Sequence, residues 1–160
     1  MPLIARWPGV TPAGTTCTQP VMIDDIFPTL AEIASIDDDK LPSPIDGESF
    51  ASLLRTPNAS PPETPRSFFW HFPNTYNQPP YTAMRRGKWK MIYHHIDQRL
   101  ELFDLENDIS EAHDLAAAEP VVLQSLAEMM SAHLRETDAD MPRLKPSGKT
   151  LPMPEVVLAE

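Results

Sequence analysis

Nineteen prolines against five glycines in 160 residues set the first constraint on this chain. Proline fixes φ and lacks an N–H, so it interrupts helices and central strands. A chain this rich in it is built from extended and turn segments with few long uninterrupted elements. Such a chain wraps around something, and a larger domain is the expected support. The length fits one domain with a modest core, or a piece of a larger one. Thr56 to Pro65 carry four prolines in ten residues and read as a linker.

Between the prolines the hydrophobic period changes. Residues 2 to 7 are short and apolar and stop at Pro8-Gly9, as a strand ending in a turn does. From Ile23 to Ile36 the positions Ile23, Ile26, Phe27, Leu30, Ile33 and Ala34 follow one helix face, with Pro28 tolerated if the helix begins near Asp24 or bends there. A short helix is expected from Glu48 to Leu54. Beyond the linker the period becomes two, which predicts strands over 67–71, 81–85, 89–93 and 99–105. Gly87 turns the second strand into the third, and His95 to Gln98 turn the third into the fourth. This antiparallel sheet of about four strands needs a cover. A helix from Pro120 to Glu136 supplies it through a stripe of Val122, Leu126, Met129, Met130, His133 and Leu134, with His133 at its boundary. The fold class is α+β, and residues 138–160 form an extended tail, laid over the domain or disordered.

The formal charge of −10 argues against a nucleic-acid partner, because phosphate neutralisation needs a basic surface. Four of the 13 basic residues nevertheless crowd into Arg85, Arg86, Lys88 and Lys90. Two readings of that cluster stand: a solvated hairpin edge, where lysines discourage sheet-to-sheet pairing, or an Arg85 or Lys88 that faces an anionic substrate. A single cysteine, Cys17, excludes an internal disulfide and a multi-thiolate metal site. No apolar run approaches the roughly 20 residues of a membrane helix, and no membrane partner is expected.

Several blocks resemble the C-terminal region of the formylglycine-dependent (type I) sulfatases, arylsulfatase-like members of the alkaline phosphatase superfamily. They are Pro2-Leu3-Ile4-Ala5-Arg6-Trp7-Pro8-Gly9, Asp25-Ile26-Phe27-Pro28-Thr29-Leu30, Asp46-Gly47-Glu48-Ser49-Phe50, Trp70-His71-Phe72-Pro73, Arg85-Arg86-Gly87-Lys88-Trp89-Lys90-Met91-Ile92, Glu101-Leu102-Phe103-Asp104-Leu105 and Asp108-Ile109-Ser110-Glu111, in the family's order. The resemblance implies that residues 1–55 are the end of a large α/β sulfatase domain, its last strand and following helix. Residues 56–66 are then the linker, and 67–137 the C-terminal subdomain. It also implies a catalytic domain upstream that holds calcium and formylglycine, and a periplasmic or secreted location for the full-length family. Two alternatives stay open: a non-catalytic module that binds glycans or assembles with a separate catalytic chain, and a fragment of a related phospho- or phosphonoesterase.

Sulfate-ester hydrolysis in that family needs a Cys/Ser-x-Pro-x-Arg pattern whose first residue becomes the hydrated aldehyde nucleophile, beside a metal that offsets sulfate charge. Cys17 is followed by Thr18 and Gln19, and Ser60-Pro61-Pro62-Glu63-Thr64 has threonine where arginine belongs, so no catalytic residue and no metal ligand is assigned here. Asp24 and Asp25 fit a helix start, where carboxylates favour the positive dipole end. Asp37-Asp38-Asp39 lacks calcium-loop spacing and reads as a solvated turn. What the resemblance implies for this region is substrate contact with a sulfated carbohydrate or aryl sulfate through His71, Asn74, Tyr76 and Arg85. For His71 the other reading is a ring that satisfies a backbone carbonyl, with Trp70 and Phe72 packed in the core. His94 and His95 point to opposite faces and are expected in an exposed loop, Asp104 and Asp108 are turn residues, and His113 has no evident partner.

Overall fold

The computed structural model describes residues 2–74, 78–145 and 147–158. The chain falls into two compact units, Met1–Thr64 and Pro65–Glu160.

In the first unit a 3-10 turn, Ile23–Asp25, runs into helix α1, Ile26–Ile33. Pro28 is the third residue of α1, where an N–H would have no intrahelical partner, so the proline costs nothing. The fully buried Asp25 carboxylate ties the turn to the chain that follows. Its Oδ2 accepts from the Met22 N–H at 2.7 Å and its Oδ1 from the Glu48 N–H at 2.8 Å. Thr29 continues the seam: its hydroxyl donates to the Asp25 carbonyl at 2.6 Å and accepts from the Phe50 N–H at 2.9 Å. Gly47 allows this approach, since a Cβ there would stand 2.1 Å from the Asp24 carbonyl oxygen. Helix α2, Ala51–Arg55, follows; it is shorter than the expected Glu48 to Leu54 at its start because the Glu48 and Phe50 N–H groups are taken by Asp25 and Thr29.

Two expectations for this unit are corrected. Residues 2–7 are not a strand: a strand is defined by a hydrogen-bonded neighbour, and no described segment pairs with them, which leaves Leu3 and Ile4 exposed. The stripe of α1 is also turned outward. The helix buries Thr29 and Ala31 against the 46–51 segment, while Ile23, Phe27 and Leu30 are 73%, 49% and 59% exposed.

The second unit carries the sheet. Among the described residues, β1 (Ser67–Phe72), β2 (Tyr81–Arg86), β3 (Trp89–His94) and β4 (Arg99–Asp104) form one antiparallel sheet in sequence order. Gly87, at φ +58°, opens the two-residue Gly87-Lys88 turn and pairs Arg86 with Trp89; a positive φ at the first turn residue is what glycine supplies there. That register places Met84, Met91, Tyr93, Leu100 and Leu102 on one face, packed on helix α3, Pro120–Glu136. The buried side of α3 is Leu123, Leu126, Ala127, Met130, Ser131 and Leu134, so the expected stripe is rotated: Val122, Met129 and His133 lie at its half-buried border. His133 stacks on Phe69 with ring centroids 3.7 Å apart.

The expected extended tail is folded onto this unit. A bridge joins Arg143 to Thr150, Met141, Leu151 and Pro154 are buried, and a short helix α4, Pro154–Val157, lies against α3. The outer edge of β4 is occupied too, because the Leu115 N–H donates to the Leu102 carbonyl and Asp114 accepts from the Leu102 N–H.

Gly47→Ala forces backbone against backbone and is expected to destabilise the Met22–Ala51 seam by about 1–3 kcal/mol. Amide exchange would show faster exchange at Glu48 and Phe50 with β2 and β3 amides unchanged; unchanged protection at Glu48 would refute the seam.

Candidate functional site

The sheet face under α3 ends in a row of polar groups. His71 on β1, Thr82 on β2 and His95, one residue past β3, share the parity of Met84, Met91 and Tyr93 and therefore point to the same side. The His71 Nδ1 lies 2.7 Å from the Thr82 hydroxyl, which lies 2.9 Å from His95 Nε2; on its other edge His71 Nε2 lies 3.2 Å from the Asp140 carbonyl oxygen. Thr82 and His95 are fully buried and His71 is half-buried. Beside them the Tyr93 hydroxyl donates to the Pro152 carbonyl at 2.9 Å, and burial pushes its phenol up to about 12.

His95 was expected in an exposed loop and is instead enclosed. Burial, and then the neighbouring His71 and His94, push its imidazole down to about 4, against a raising contribution from the Tyr81 backbone; Nδ1 has no well-formed hydrogen bond. A proton on Nδ1 would add a donor with nothing to accept it.

Of the four residues expected to contact substrate, His71 sits in this row with both ring nitrogens engaged. Asn74 follows β1 on an exposed segment, and Tyr76 lies outside the described residues. Arg85 pairs with Phe68 across β1 and β2, three residues from His71, so it is on the opposite face and offset by roughly 10 Å along the strand. The structure therefore does not bring His71 and Arg85 together. Trp70 and Phe72 share the face of Arg85; Phe72 stacks near Tyr81 at 5.1 Å and is exposed, which corrects its expected place in the core.

The basic cluster is largely neutralised. Lys88 pairs with Asp104 at 2.7 Å and sits 4.6 Å over the Trp89 ring, Lys90 pairs with Glu111 at 2.6 Å, and Arg86 donates to the Ser67 hydroxyl. Arg85 donates its Nε to the Gly87 carbonyl at 3.1 Å and has no carboxylate within ion-pair reach among the described residues. His94 pairs with Glu101 at 2.6 Å; burial works against that carboxylate, yet the hydrogen bonds from His94 and Arg99 hold its pKa below the usual range. Asp108 accepts from Ser110 and from the His113 N–H, which hold its carboxyl down to about 2 and give His113 a partner at 3.3 Å.

Among the described residues no three His, Cys, Asp or Glu side chains converge where a metal ion could be held. Cys17 is half-buried and is followed by Thr18-Gln19. The described residues do not fit calcium or a formylglycine nucleophile.

Parity was the signal that could have found Thr82 and His95 from sequence. Once Gly87-Lys88 sets the register, both fall on the apolar face, where a hydroxyl and an imidazole need partners.

His95 is neutral in the folded chain and takes up a second ring proton near pH 6.5 when unfolded. This group therefore costs nothing above about pH 6.5, and stability falls as the pH drops from there toward 4. Urea unfolding at pH 7.5, 6 and 5 is expected to show a steeper loss for the unsubstituted chain than for His95→Gln; parallel losses would refute the buried neutral imidazole.

The family described as N-sulphoglucosamine sulphohydrolase, C-terminal, matches residues 1–140. A sulfatase of Formosa agariphila is 39% identical over 132 residues, 75% of this chain and 23% of that protein. A choline-sulfatase of Rhizobium meliloti is 30% identical over 138 residues, 83% and 25% of the two chains. A solved structure described as a complex with its substrate D-glucosamine-2-N,6-O-disulfate shares the fold, with TM-score 0.70 at 21% identity over 84% of this chain and 28% of that one. The chain thus spans about a quarter of the length of these curated relatives. With a four-stranded sheet covered by a C-terminal helix and a family match over residues 1–140, this is a sulfatase C-terminal region, and the chain belongs to the N-sulphoglucosamine sulphohydrolase C-terminal family.

Proposed function

We propose that this chain is the C-terminal part of a sulfuric ester hydrolase acting on a sulfated carbohydrate or aryl sulfate. In this reading it walls the substrate pocket, and the formylglycine nucleophile and calcium belong to a catalytic domain encoded upstream of these residues. The observation that carries the reading is the family match over residues 1–140 in a chain whose only cysteine and candidate serine lack the nucleophile pattern. A sugar as substrate is supported by the family's description and by the disulfated glucosamine of the solved relative.

The β1–β2 end, with His71 and Asn74, is one contact region, to which Tyr76 is assigned by its place in the sequence between those strands. Its amide, phenol and imidazole groups suit sugar hydroxyls and ring stacking. Arg85 forms a second, on the other face, with a guanidinium left for an anionic oxygen. The upstream domain docks on the first unit, where Ile23, Phe27 and Leu30 present an apolar helix face to solvent.

The 160-residue chain alone is expected to show no turnover of 4-nitrophenyl sulfate or glucosamine 6-sulfate, while the polypeptide extended upstream hydrolyses both. Turnover by the chain alone would overturn the reading, and a preference of the extended polypeptide for choline sulfate would overturn the sugar. In the extended polypeptide Arg85→Ala is expected to raise KM roughly ten- to hundredfold with kcat little changed.

The docking face has its own test. The chain alone is expected to bind the dye ANS and self-associate, and a Phe27→Asp, Leu30→Glu double variant to abolish both; equal dye binding by the variant would remove α1 as the interface.

A further inference from the structure

We propose that Thr82 is a positioning residue that locks the ring of His71 in one tautomer, with its proton on Nε2. The inference deepens the reading of His71 as a substrate contact and rests on that reading for its functional meaning.

The assignment follows from which partners can only accept. The group beside His71 Nε2 is the Asp140 carbonyl, at 3.2 Å, which has no proton to give. A neutral His71 therefore carries its hydrogen on Nε2, and its Nδ1 is an acceptor. The neighbour of Nδ1 is the Thr82 hydroxyl at 2.7 Å, so that hydroxyl spends its single proton on His71. Thr82 is then an acceptor toward His95, whose Nε2 at 2.9 Å must be the protonated nitrogen. The remaining atom, His95 Nδ1, is left as a bare lone pair, and it is the ring nitrogen without a partner. An orphaned acceptor is a milder defect in a fully buried site than an N–H donor without a well-formed hydrogen bond.

The hydrogen bonds therefore run one way, from His95 through Thr82 to His71 and out to the Asp140 carbonyl. His95 is the fixed end because it is enclosed: its ring lies 4.8 Å from that of Tyr93 and 5.8 Å from that of His71, and its N–H donates to the Pro80 carbonyl. The outer bond, to Asp140, is the longest of the three and the one at the exposed end. A hydroxyl or sulfate oxygen of a sugar can replace that carbonyl without disturbing the two buried bonds. His71 would thus meet substrate through its Nε2–H donor with its ring plane already set, which reduces the ordering cost of binding.

The test is the imidazole nitrogen spectrum of the 15N-labelled 160-residue chain at pH 8. His71 and His95 are each expected as a single species protonated on Nε2. Thr82→Val is expected to convert His71 to the two-tautomer mixture of a free imidazole, and Thr82→Ser to keep the single species. His71 protonated on Nδ1, or mixed in the unsubstituted chain, would overturn the proposal without any variant having to fold. So would a folded Thr82→Val chain in which His71 stays on Nε2. In the polypeptide extended upstream, a tenfold rise in KM for Thr82→Val, reversed in Thr82→Ser, supports both the lock and its use. An unchanged KM together with the lost tautomer supports the lock and retires the sugar contact.

Discussion

The pairing of Arg86 with Trp89 across Gly87-Lys88 decides which side chains this sheet buries. With a side-chain period of two, a slip of β3 by one residue against β2 would turn Lys90, Ile92 and His94 toward α3 and Met91 and Tyr93 away from it. Burying unpaired charge costs far more than burying apolar groups returns, so the turn and the pattern enforce one another. The same register also carries His71, Thr82 and His95 under the cover, at the end where residues 138–158 replace α3 as the lid. Pro142, Pro152 and Pro154 cannot donate, so this segment offers carbonyls in excess of N–H groups. The sheet answers with side-chain donors: the Tyr93 hydroxyl reaches Pro152 and the His71 ring reaches Asp140. Polar residues at the margin of an apolar face are thus what lets a proline-rich segment be ordered.

The first unit inverts that arrangement. It spends its buried positions on Asp25, Thr29, Ala31, Phe50 and Ala51 and leaves Ile23, Phe27 and Leu30 outside. A carboxylate is tolerated there because it accepts two backbone N–H bonds that would otherwise go unmade. The result is a segment with a defined backbone and almost no hydrophobic core of its own. Order of that kind comes from directional bonds, whereas stability in most small folds comes from apolar burial. An upstream domain that covers Ile23, Phe27 and Leu30 would supply the missing term.

Much of the second unit was legible in the sequence. Strands β1 to β4, the turn at Gly87 and the span of α3 followed from period, glycine placement and Pro120 at the first helical position, since those signals are local. What local signals could not give was direction. The stripe on α3 was rotated by one residue because Leu123, Ala127 and Ser131 are as compatible with a helix face as Val122 and Met129, and only the sheet beneath decides between them. The first unit misled for the converse reason: an apolar stripe on α1 announces burial without saying whether the burying surface lies in the same stretch of chain. His95 was misplaced because a loop position next to β3 was read as exposed, although its parity with Tyr93 already aimed it inward.

The opposite facing of His71 and Arg85 bears on how such a unit could serve one substrate. A sulfate group is small, and a sheet separates the two side chains in addition to three residues of strand. No single sulfate can bridge them, so a substrate that uses both must be extended around the β1 edge. Arg85 keeps four terminal N–H donors beyond the one that Nε gives to Gly87, whereas Lys88 and Lys90 are already matched to carboxylates. On a chain of net charge −10, that fork, without a carboxylate partner among the described residues, is chemically suited to an anion. The imidazole edge under α3 is suited to a neutral hydroxyl or to one oxygen of a sulfate. A sugar ring at the β1–β2 end with its charged neighbour turned toward Arg85 satisfies both chemistries, and a compact ester with a single sulfate can engage only one.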